Sequence, residues 1–167
     1  MDYFRLPKDE DEKIANIKLQ KEVFISQINL AKKYKKPLII HIRDASNDSK
    51  ILMLENDVKE VGGVLHCFNA DEQLLVLAEH GFYFGIGGVL TFKNAKKLVN
   101  VLSKIPQDKL IIETDGPYLT PHPYRGTRNE PKYTNEVASK MAELLDMTKE
   151  QIEDLTTSNA NKLFNLK

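Results

Sequence analysis

One cysteine, Cys67, among 167 residues excludes an intramolecular disulfide framework and suits a reducing compartment. No apolar run approaches the roughly 20 residues that cross a bilayer, and the first residues carry no signal-peptide pattern. A cytoplasmic location is therefore expected. Lys plus Arg and Asp plus Glu balance at 24 each, which leaves no global positive field to recruit nucleic acid. A polyanionic substrate would have to be held locally, by a metal ion and a few arginines. Nor is there an internal repeat. What is present, 41% hydrophobic and 29% charged residues, is the composition of a folded domain. The length suits one domain, residues 1–167, with a sizeable core.

Apolar runs and helical periodicities alternate along the chain. Ile14, Ile17, Phe24, Ile28 and Ala31 recur at helical spacing, and Lys32, Lys33, Lys35 and Lys36 close that helix with charges that suit its dipole. Residues 37–41 form the first strand. Ser46 or Asn47 is expected to cap the next helix, and Gly62-Gly63 stop it. A strand to His66 follows, then a helix capped by Asp71 and ended by Gly81. Residues 82–88 make a third strand, Ala95 to Leu102 a helix, and residues 109–113 a fourth strand. Beyond a long loop lie a helix through Val137 and Met141, a second opened by the capping box Thr148 to Gln151, and a short last one from Thr157. Strands alternating with helices at this spacing predict βα units and a parallel sheet.

Three strand ends carry the chemistry. The run Leu110-Ile-Ile-Glu113-Thr114-Asp115 is broken by Gly116-Pro117, which places Asp115 where the strand stops pairing and a side chain can face a ligand. Residues 37–41 reach His41 and residues 61–66 reach His66 in the same way. His, His and Asp at strand carboxyl ends form a donor set that a divalent ion accepts. Glu113, two residues from Asp115, is placed to brace the site from behind. Arg43, Arg125 and Arg128 are the local groups that could hold phosphates. The loop Thr120 to Pro131, pinned by prolines, is long enough to be a binding loop. Any one of these histidines alone is more simply a structural residue. Cys67 follows His66 and so is expected on the opposite face, as a small buried hydrophobe.

The motifs Pro37-Leu-Ile-Ile-His41-Ile-Arg43-Asp44-Ala45, Leu65-His66-Cys67-Phe68, Gly85-Ile-Gly-Gly88 and Leu110 to Leu119 resemble, in order and spacing, the TatD-type metal-dependent deoxyribonucleases, members of the amidohydrolase-like barrels. Arg125-Gly126 with Arg128-Asn129-Glu130-Pro131, and the ending Asn161 to Leu166, resemble further family segments. Asn69-Ala70 stands where the family usually has Ser-Gly. The resemblance implies a TIM-type (β/α)8 barrel family, here a half-barrel of about four parallel strands with flanking helices. It implies two divalent ions (Mg²⁺, Mn²⁺ or Zn²⁺), one bound by His41 and His66, the other by Asp115, which would also position or deprotonate the attacking water. The implied activity is 3′ to 5′ cleavage of single-stranded DNA ends. Met1-Asp2-Tyr3 resembles the end of the family's fourth-strand stretch, so the family's His-x-His and its fourth-strand Glu are expected outside this sequence. Two other readings stay open: a hydrolase of a different ester or amide, and a non-catalytic half-barrel that forms a homo-oligomer through its open edges.

Overall fold

Leu38–His41 (β1), Gly63–His66 (β2), Phe82–Ile86 (β3) and Leu110–Ile112 (β4) pair in parallel, in that order, in a computed structural model that describes residues 1–166. The register sets Ile40 beside Leu65, Leu65 beside Phe84 and Phe84 beside Leu110. Because strand side chains alternate between faces, this row lies on one side of the sheet. There it joins Met53, Leu74, Leu77, Leu98, Val137 and Met141 in the main core. The alternate row, Val64, Tyr83 and Ile111, forms a second, smaller cluster. That inner face is covered only in part.

The helices are Glu10–Tyr34 (α1), Ser46–Glu55 (α2), Lys96–Leu102 (α3), Thr134–Leu145 (α4) and Lys149–Phe164 (α5). Each of the three connections between these strands carries helical structure, as parallel pairing requires. The segment Glu72–His80 is 3-10 helix rather than α, although Asp71 caps it as expected by accepting the Gln73 amide. Ser46 and Asn47 do not cap α2. Its N-cap is Ala45, and Ser46 is buried with its Oγ accepting from Asn69 Nδ2 at 3.0 Å. The expected separate helix from Thr157 is absent because α5 runs unbroken to Phe164. Thr156 Oγ1 donates to Ile152 O at 2.8 Å, within the same helix, so it turns back on α5 instead of opening a new element. The third strand stops at Ile86, two residues early, and Gly88 begins a turn against which the backbone of Leu119 packs. A Cβ at Gly88 would collide with the Leu119 carbonyl, so only glycine lets the long loop approach.

Two contacts finish the sheet edges. Residues 1–3 lie parallel to the end of β1, with Arg43 N donating to Met1 O at 3.0 Å and Tyr3 N donating to Arg43 O at 2.8 Å. At the far edge, Asn159 of α5, 1% exposed, donates from Nδ2 to Leu110 O at 2.8 Å and Gln107 O at 2.9 Å. The end of α5 then lays Ala160, Leu163 and Phe164 over Val64, Tyr83 and Ile111. Ile39 escapes this cover and stays 68% exposed on the same face. Among the described residues no helix is long and apolar enough to cross a membrane.

Candidate active site

The sheet register brings His41 level with His66, on neighbouring strands and on the inner face. Their rings stand 6.3 Å apart between centroids. Glu113 and Asp115 follow the end of β4, and the Glu113 amide donates to Ile86 O at 3.1 Å, which carries the strand's alignment one residue further. Glu113 thereby sits behind His66, its Oε2 2.9 Å from Nδ1 and its Oε1 accepting from the Cys67 amide at 2.5 Å. Gly85 lies under that carboxylate, and any Cβ there would meet it. Glu113 thus braces the histidine.

With Nδ1 committed to Glu113, the other nitrogen of His66, Nε2, faces Asp115 Oδ1 at 3.2 Å. In a neutral imidazole of that tautomer both atoms are acceptors. Two facing acceptors need a positive charge between them, supplied by a second proton on His66 or by a cation. Burial opposes a charged His66, but the carboxylates of Glu113 and Asp115 outweigh it and raise the pKa above the usual histidine value. Glu113 itself is pushed up by burial, against the pull of His66 and the Cys67 amide. The donor chemistry at this pair therefore suits a divalent ion. Among the described residues, though, no three His, Cys, Asp or Glu side chains converge on one point.

The other expected groups divide. His41 turns its Nε2 toward Asp2 Oδ2 at 3.2 Å rather than toward Asp115. Burial would raise the pKa of Asp2, yet it is lowered, because the Phe4 amide, His41 and Arg43 favour the carboxylate. His41, His66, Arg43 and Asp115 all line one cleft of about 960 Å³, together with Arg5, Lys97 and Tyr118. Arg43 lies flat on Phe4, its guanidinium carbon 3.4 Å from the ring centroid. Arg125 and Arg128 are not among the residues lining this cleft. Arg125 stacks on Phe92 at 3.8 Å and donates to Thr120 O at 2.9 Å, so it braces the long loop from within. Asn129 does the same, donating to Tyr118 O at 2.7 Å.

Cys67 does line the cleft beside His66, contrary to the alternation expected from the sequence. The strand ends at His66, and Cys67 takes a left-handed backbone, φ 46°, which breaks the two-residue period. Burial, with the Glu113 and Asp115 charges, pushes its thiol up to about 11, so it stays a protonated, weak nucleophile at neutral pH.

The profile of the family described as TatD-related DNase matches residues 1–165. The chain belongs to the TatD-related DNase family. Among curated relatives, it is 49% identical over 149 residues to the uncharacterized metal-dependent hydrolase YabD of Bacillus subtilis, covering 89% of this chain and 58% of YabD. It is 37% identical over 167 residues to YcfH of Escherichia coli K12, a protein described in the same words, covering 99% of this chain and 60% of YcfH. The crystal structure of YJJV, a TatD homologue from the same species, superposes with a TM-score of 0.87 at 27% identity, over all of this chain and 62% of YJJV. The chain therefore spans about three fifths of the length of these relatives.

Asp2, Arg5 and Lys97 are the cleft residues that sequence reasoning passed over in this TatD-family chain. Asp2 could have been found, since it stands in the segment that resembles the end of a family strand. Arg5 and Lys97 carried no signal, because exposed basic residues look alike until the fold aims them at a cleft.

Proposed function

We propose that the cleft at the carboxyl ends of β1, β2 and β4 serves divalent-metal-dependent hydrolysis of DNA phosphodiester bonds, working 3′ to 5′ from single-stranded ends. The observation that carries this reading is the facing pair His66 Nε2 and Asp115 Oδ1, 3.2 Å apart, with Glu113 placed behind His66. Membership of the TatD family and the names of the curated relatives, metal-dependent hydrolases, support it. A divalent ion held by His66 and Asp115, with His41 on the next strand, would supply charge neutralisation at a phosphoryl oxygen and a more acidic water. The chain's own part is distinct. Asp115, partly open to the cleft, accepts hydrogen bonds from the attacking water and takes its proton. Arg43, held flat by Phe4, presents its outer edge to a phosphate.

The test is release of label from 3′-labelled single-stranded DNA by the purified chain with Mg²⁺ or Mn²⁺. Release should stop when a chelator removes the metal and should fall at least about a hundredfold in Asp115→Asn. Release that ignores both changes would sink the reading, and cleavage of other esters or amides in a parallel panel would redirect it.

A second reading, self-association of two copies over the inner sheet face, is favoured by Ile39, an isoleucine 68% exposed beside an otherwise covered row. Light scattering across a concentration series should then find dimers for the natural chain and monomers for Ile39→Asp. A natural chain that is monomeric throughout would end this reading.

A further inference from the structure

A second cleft, about 800 Å³, adjoins the candidate site and shares Arg43, Asn69, Ala70 and Lys97 with it. Its own walls include Asn47 and Asn100, hydrogen-bonding side chains of the kind that read nucleobase edges, beside Ser46 and Gln73, which already bond Asn69 and Asp71. Three acidic residues also border it, but two are already engaged. Glu72 pairs with Lys104 at 2.6 Å, and Asp71 accepts from Gln73 N and Nε2 at 3.2 and 2.8 Å. Lys97 is exposed and, among the described residues, forms no ion pair. At the junction of the two clefts it and Arg43 are the cations, and among the described residues neither has a carboxylate within ion-pair distance.

We propose that Lys97 and Arg43 together hold a phosphate of the DNA strand at this junction, and that the amide-lined groove receives the nucleotide beyond it. The inference rests on the DNA reading above and names where the strand leaves the site. The chain has no net charge to attract a polyanion from a distance, so local phosphate contacts must carry the binding energy and its salt dependence. An ammonium on a flexible stem suits a phosphate whose position shifts as the end of the strand recedes. Arg43, fixed on Phe4, gives the other side of the clamp its orientation.

The test is fluorescence anisotropy of labelled oligothymidylates of increasing length with the full chain, with Ca²⁺ in place of the catalytic ions. Lys97→Ala should weaken binding about tenfold and lower the slope of log affinity against log salt by about one. Lys97→Glu should weaken it further. Lys96→Ala, a change at the adjacent exposed position, should bind as the natural chain does, and circular dichroism should show all variants equally folded. If the natural chain binds and the Lys97 variants match it, this assignment falls while the DNA reading stands. If the natural chain binds no oligonucleotide, both fall.

Discussion

Phe84→Ala should cost about 3–5 kcal/mol of stability, the usual loss for emptying a fully buried aromatic site. Phe84 is 0% exposed, sits on β3 between two parallel neighbours, and meets Phe68 edge-on with ring centroids 4.9 Å apart. Most of the chain's apolar burial lies on this one side of the sheet, since the inner-face cluster holds only three buried residues. A cavity here cannot be refilled from the other face, because backbone separates the two. For a domain of this size the loss corresponds to a fall of roughly 6–20 °C in the thermal midpoint. Phe84→Leu, which keeps most of the volume, should lose far less. Equal midpoints for Phe84→Ala and the natural chain in a melting experiment would show that the core is not organised around this row.

Glu113→Gln should separate folding from chemistry. The Cys67 amide needs an acceptor, so the new carboxamide turns its oxygen there and its NH₂ toward His66 Nδ1. Nδ1 must then accept, and the imidazole proton moves to Nε2, the nitrogen that faces Asp115. Both hydrogen bonds survive, so the thermal midpoint should change little. The Nε2 lone pair that the proposed metal site needs is lost, and the Mn²⁺ concentration that half-saturates the proposed DNA cleavage should rise roughly 10–100-fold. Glu113→Ala should lose both, with about 1–3 kcal/mol of stability gone for the unpaired amide. A Gln variant with unchanged Mn²⁺ dependence would remove His66 from any metal role.

The sequence made the repeating strand-helix order legible because each strand is a short apolar run punctuated by glycine, proline or a histidine. It made His41, His66 and Asp115 legible as residues at the carboxyl ends of parallel strands, but not that His66 rather than His41 would face Asp115. It did not disclose that His41 would face Asp2, since that contact depends on residues 1–3 pairing beside Arg43, more than 30 positions away in the chain. The cap of α2 was misjudged because Ser46 is drawn into the core side of the site by Asn69, a tertiary preference that outweighs a local one. The break at Thr157 was misjudged for the opposite reason, as Thr156 satisfies its hydroxyl within its own helix. The sequence did not disclose that Arg125 would stack on Phe92 and donate to the Thr120 carbonyl, away from the cleft that holds His66.

An open parallel sheet normally offers two rows of idle backbone groups to any passing strand. Here the carboxyl end of β1 is already matched to residues 1–3, and the outer carbonyl of Leu110 on β4 is stoppered by the Asn159 amide. What stays open on the β1 side is the short stretch before His41, as long as the ladder that pairs β1 with β2. A second molecule that reaches this sheet from the β1 side meets Ile39 as an exposed apolar side chain, and the backbone just beyond His41 is already engaged.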